Sequence, residues 1–237
     1  MRSCVRFKGS EGSFLRTQTL NRSDCLSFQG VKRLSESKKS FRVKIGGIAG
    51  ILTPVFAFTF IGLAIATYPQ FSWLNNALSD LGVVPGSTST LFNFGLYVSG
   101  LFSLNFAVGL FKFLDKHISG KIGAIIFAAA SLSLIGIGVT PENIRPFHYI
   151  FSVAFFSLVP ISLLVIASYF LVMRQKPLAA FTLLIAILAA APWVLFFQIH
   201  YVQGVAIPEL LSALAGAVWT VIIGWKMFKA ASQPKSY

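Results

Sequence analysis

Apolar and polar positions alternate along this chain in long blocks rather than at single-residue steps. Apolar runs cover Ile45–Tyr68, Leu91–Leu114, Ile122–Val139, Tyr149–Met173, Leu178–Phe197 and Glu209–Phe228. A helix needs roughly 20 mostly apolar residues to cross the hydrocarbon core, so each run is a transmembrane helix by length. The pattern therefore predicts an all-α, polytopic bundle of six transmembrane helices. Pro54, Pro160 and Pro192 fall inside spans, and Pro208 sits at the first turn of the sixth, where a missing N–H costs nothing. Gly46, Gly47 and Gly50 give the first span a small-residue face suited to close helix contact. We find no internal repeat.

Between the first two runs lies FSWLNNALSDLGVVPGSTSTLFNFG, Phe71 to Gly95. Phe71, Leu74, Leu78 and Leu81 recur at helical spacing, and the pairs Asn75/Ser79 and Asn76/Asp80 stand four apart on the other side. This predicts a short amphipathic helix at the membrane interface, capped by Ser72 and closed by Gly82. Pro85-Gly86 then turns the chain into the second span.

Composition agrees with a lipid-facing surface. Of 237 residues 55% are hydrophobic and only 11% are charged, less than half the usual share of a soluble domain, about 25%. The net charge is +13. Residues 1–44 carry eleven Lys/Arg against three acids, and the remainder nine against four. No nucleic-acid-binding pattern accompanies this charge, so anionic lipid is the simpler counterpart. Residues 1–44 lack the apolar core of a secretory signal. They have some features of a transit peptide, but the expectation is a basic, disordered cytosolic tail or a segment ahead of a mis-set start. The transmembrane domain is then 45–228, and 229–237 form a second tail. Cys4 and Cys25 both lie in the first tail and match no metal spacing.

Charge also sets the orientation. Six spans place the two tails and the 112–121 and 174–177 loops on one side, with nineteen of the twenty Lys/Arg. Only Arg145 falls on the other. The positive-inside rule puts both termini in the cytoplasm of a multi-pass plasma-membrane protein.

The opposite ends of the helices collect Asn75, Asn76, Ser79, Asp80, Asn93, Glu142, Asn143, Arg145, His148, Gln198, His200 and Glu209. No ionisable residue occupies the middle of a span, which counts against ion pumps and proton-coupled carriers. Asn105, within the second span, is expected to bond a neighbouring helix. Three readings of the outer cluster stand. It is a structural network, with Asp80 paired to Arg145 and a histidine donating to a carboxylate. It is a pocket for a lipid headgroup or small ligand, with Arg145 on a phosphate or carboxylate. Or it is a metal site of a lipid hydrolase, His148 and His200 with Asp80 offering zinc a ligand set, though no HxxxH or HExxH spacing is present. Ser79 and Asp80 are adjacent and point apart, so they do not form one catalytic relay. The leading expectation is a non-enzymatic membrane protein with an extracytoplasmic polar pocket and no cofactor. A zinc hydrolase is the alternative and a small-solute transporter the third. Oligomeric state is not legible.

Asn76-x-x-Ser79-Asp80-Leu81-Gly82 followed by Leu91-Phe92-Asn93-x-Gly95 resembles the DUF998 family, a prokaryotic domain of unknown function. Gly138 and Pro141 followed by His148, the pair Phe155-Phe156, and Ala206-Ile207-Pro208-Glu209 resemble it too. The likeness covers about Ile45–Phe228. More distantly the pattern is similar to DRAM/Frag-type six-span membrane proteins. The resemblance implies a six-helix membrane protein from an archaeon or bacterium, and draws attention to Asn76, Ser79, Asp80, Asn93, His148 and Glu209. It implies no reaction.

Overall fold

A computed structural model describes residues 5–7, 17–19 and 22–233. The rest of the basic tail that was expected to be disordered, and the last four residues, lie outside the described residues. The chain divides into two compact units, 1–41 and 42–237. In the first, strand β1 (Val5–Phe7) pairs antiparallel with β2 (Thr17–Thr19), Val5 opposite Thr19. Everything else regular among the described residues is helical.

The helices are α1 (Arg22–Ala66), α2 (Ser87–Phe113), α3 (Ile118–Val139), α4 (Phe147–Val172), α5 (Lys176–Ile199) and α6 (Ala206–Ser232). Six segments are long and apolar enough to span a membrane, one within each helix, the first being Leu34–Ala66. Each contains or overlaps an expected run. α1 begins at Arg22, inside the stretch assigned to the tail. Pro54, Pro160 and Pro192 are accommodated within α1, α4 and α5.

Burial is arranged as lipid solvation requires. Leu101, Ile125, Leu132, Ile161, Leu184 and Leu195 are exposed; backbone groups are satisfied within each helix, so apolar side chains are free to face outward. Inside, Phe106, Phe127 and Trp219 pack edge-on and tilted with centroids 5.4–5.9 Å apart. The Trp219 indole N–H donates to Thr182 Oγ1 at 3.1 Å, which removes the cost of burying it. The expected small-residue face is used: a Cβ on Gly46 would lie 2.7 Å from Gly109 Cα, and one on Gly47 would lie 2.6 Å from the Gly224 carbonyl oxygen. α1 therefore touches α2 and α6 backbone to backbone. Asn105 bonds no neighbouring helix. It is exposed and returns its amide to Leu101 of its own helix at 3.0 Å.

The stretch after α1 departs from expectation in kind. No α-helix covers 71–81; a turn at 73–75 is followed by a single 3-10 helix at Leu78–Val83. The cause is local. Asn76 Oδ1 accepts the Ser72 N–H at 2.9 Å and Asp80 Oδ2 accepts the Ala77 N–H at 2.9 Å. Short polar side chains thus take donors that an α-helix would use. In a 3-10 helix residues three apart eclipse, so Leu78 and Leu81 share one face. Both are buried, in a cluster with Ile61, Phe92, Leu96, Leu134 and Ile137. Leu74, part of the same expected stripe, is exposed instead.

Candidate functional site

Three consecutive residues of the 3-10 helix bring the outer polar groups together. The Leu78 N–H donates to Glu209 Oε2 at 2.6 Å, across 131 residues of chain. Ser79 Oγ donates to Glu142 Oε2 at 3.3 Å. Asp80 Oδ2 accepts the Asn76 amide at 2.7 Å as well as the Ala77 N–H, and its carboxyl acts on that of Glu142. Asp80, Glu142 and Glu209 therefore surround one short turn. Ser79 and Glu209 are buried. Asn93, from α2, donates to the Gly82 carbonyl at 2.9 Å and holds the far end of the turn.

The backbone reinforces this. Gln203 and Gly204 both donate to the Leu74 carbonyl, at 3.1 and 2.7 Å, and Ala206 N–H donates to the Asn76 carbonyl at 2.9 Å. The α5–α6 connection is thus laced along the turn after α1. Gly204 is required by the approach: an added Cβ would sit 2.3 Å from the Asn76 carbonyl oxygen.

His148 opens α4 and is 6% exposed. Its Nδ1 lies 2.6 Å from the Thr140 carbonyl oxygen, so Nδ1 carries a proton and donates it. Nε2 is buried with no hydrogen-bond partner, and the ring acts electrostatically on Glu142.

Two expected members stand apart. His200 is the exposed C-cap of α5, in the left-handed conformation at φ 43°, with its ring against Phe196. The set His148, His200 and Asp80 is not assembled, and among the described residues no group of three or more His, Cys, Asp or Glu is placed to hold a metal ion. Arg145 does not pair with Asp80. It lies 3.8 Å from Glu142 with 80% of its side chain exposed, where an ion pair contributes little. Asn75, Asn143 and Gln198 are exposed as well. What sequence reasoning missed is Gly204, whose only signal is a glycine in the short loop before α6.

Beneath the turn an apolar cavity of about 120 Å³ enters the bundle. Its outer end is formed by Leu78, Ser79 and Glu209 and its floor includes Phe127 and Thr220. The lining residues on α1, α4 and α6 include Phe156 and Ala213, which are only half-buried. The cavity thus approaches the surface of the bundle on that side.

Burial and the Asp80 carboxyl beside it push the Glu142 pKa above its ordinary 4.5, outweighing the opposing effect of His148 and the Ser79 hydroxyl. A raised folded pKa means the folded protein keeps a proton that the unfolded chain has released. The associated stability is full below about 4.5 and is lost as pH rises through the folded pKa. The apparent melting temperature in detergent is expected to fall across that window, less so in Glu142→Gln. Parallel profiles for the two proteins would show that Glu142 is not the group responsible.

A family model described as "Protein of unknown function (DUF998)" matches residues 51–226. The match bears on the first of the two resemblances drawn from the motifs. No curated protein and no solved structure matches the chain.

Proposed function

The chain belongs to the DUF998 family of unknown function, and we propose that it is a non-enzymatic integral membrane protein that holds a membrane amphiphile. The tail occupies the apolar cavity and the head meets the polar turn at its outer end. One observation carries this reading: the cavity is apolar along its length, approaches the surface of the bundle through its half-buried side, and ends at Ser79 and the buried carboxyl of Glu209. That is the division of chemistry an amphiphile requires. Below the turn a soluble small ligand would meet mostly apolar surface, because the hydroxyls of Thr53, Ser103, Ser212 and Thr220 are already hydrogen-bonded within the bundle.

Gly216 lines the cavity, and a Cβ added there meets only Val159 Cγ1, at 3.8 Å. A leucine in place of Gly216 therefore fills the cavity without displacing backbone. Native mass spectrometry of protein released from mild detergent is expected to show a retained amphiphile in the natural protein and markedly less in Gly216→Leu. Equal retention by both proteins would refute the cavity as its site.

We place the polar turn outside the cytoplasm, with both termini cytoplasmic. The support is the segregation of nineteen of twenty Lys/Arg to the opposite side. Reporter fusions after Lys116 and Arg174 should read cytoplasmic, and fusions near Gly86, Asn143 and Gly204 external. One inverted reading would break the arrangement.

A further inference from the structure

The polar end of the cavity is rich in acceptors, and its donors are already engaged. The Leu78 N–H goes to Glu209, the Ser79 hydroxyl to Glu142, the Asn76 amide and Ala77 N–H to Asp80, and the Asn93 amide to Gly82. What is left is carboxyl oxygens and, in the same cluster, the buried and unpartnered Nε2 of His148. The one arginine near these groups is turned to solvent beside Glu142. A head bearing phosphate or carboxylate would meet acidic groups and few free donors, which is unfavourable in a partly desolvated site. A head bearing N–H donors and positive charge supplies what the site lacks.

We infer that the amphiphile is a long-chain amine, its protonated head held by Glu209 and Ser79 with Asp80 and Glu142 supplying negative charge behind them. This rests on the amphiphile reading above and adds the chemistry of the head. Glu209 is the contact that matters most, because it lines the cavity and its side chain is held in place by a backbone donor. The chain of the amine lies along the aromatic and aliphatic wall and leaves toward lipid between the half-buried residues of α1, α4 and α6.

Three probes that differ only in their heads separate the two levels of the argument: dodecylamine, dodecanol and dodecanoate. Each is titrated at neutral pH into purified protein in nonionic detergent, and the shift in melting temperature is followed for the natural protein, Glu209→Gln and Gly216→Leu. The amide introduced by Glu209→Gln keeps an oxygen for the Leu78 N–H, so that variant retains the turn and loses only the acid that can ionise against an amine. Dodecylamine is expected to stabilise the natural protein, with its midpoint concentration raised about tenfold or more in Glu209→Gln, the loss of one charge-assisted contact. Gly216→Leu should not respond. If dodecanol or dodecanoate matches dodecylamine, or Glu209→Gln responds like the natural protein, the amine inference is overturned and the amphiphile site stands. If no probe stabilises the natural protein, or Gly216→Leu responds to the probes as the natural protein does, the amphiphile reading itself falls.

Discussion

Replacing Gly204 by valine is expected to destabilise the protein by about 3 kcal/mol or more, the upper range for overpacking a site that cannot relax. The obstacle is backbone. A Cβ at 204 would stand 2.3 Å from the Asn76 carbonyl oxygen, 2.5 Å from Asn75 C and 2.6 Å from Asn76 N. No rotamer change relieves contacts with main-chain atoms. Either the α5–α6 connection or the turn after α1 must move, and the hydrogen bonds from Gly204 and Ala206 to Leu74 and Asn76 go with it. Loss of the turn also removes the outer end of the cavity, so amphiphile retention should fall together with the melting temperature. Gly62→Val is the control, since a Cβ there meets nothing within 4 Å. It should lie near the natural protein or slightly above it, since a β-branched residue costs a helix less than the glycine it replaces. A Gly204→Val protein that melts with Gly62→Val would show that the two loops are not interlocked.

The membrane architecture is legible in the chain because its cause is local and coarse. Each apolar run is long enough to span by itself, and no Lys or Arg interrupts 45–111. Pro208 marks the start of α6 for an equally local reason. The site was legible as a set of residues and not as a set of partners. Asp80, Ser79, Glu142, His148 and Glu209 do gather, because threading six helices brings alternate loops to one face. Which of them touch depends on geometry that spacing does not carry. The period of the leucines suggested an α-helix, yet Asn76 and Asp80 take the Ser72 and Ala77 N–H groups, and a 3-10 turn results. That change of rise and phase is what presents Leu78, Ser79 and Asp80 to three different partners. Opposite charge suggested Asp80 with Arg145, but Arg145 lies past the end of α3, exposed beside Glu142. His200 was grouped with His148 by side of the membrane alone, and the left-handed cap of α5 leaves its ring on Phe196. The cavity has no sequence signature, since its walls use the same residue types as the packed core.

Glu209→Ala is expected to cost about 1–3 kcal/mol, the penalty for leaving a buried donor without a partner. Leu78 is 6% exposed and Glu209 8%, so water does not readily replace the lost acceptor for the Leu78 N–H at 2.6 Å. The bond joins the turn after the first span to the first turn of the last, and the Leu78–Leu81 face is packed on the same cluster as Ala206. Weakening it should loosen the turn as a unit. Glu209→Gln should restore most of the stability, because its amide oxygen accepts the same N–H at the same reach. A proteolysis series or apparent melting temperatures in detergent would order the proteins as natural, then the glutamine variant, then the alanine variant. If the two variants are equally destabilised, the carboxylate charge rather than the hydrogen bond holds the turn. If neither is destabilised, the turn is secured by Leu78 and Leu81 packing alone. The pair thus separates two properties of one side chain: an acceptor that both Glu and Gln supply, and an acid that only Glu can ionise against a bound amine. Stability should follow the first and retention of an amine the second.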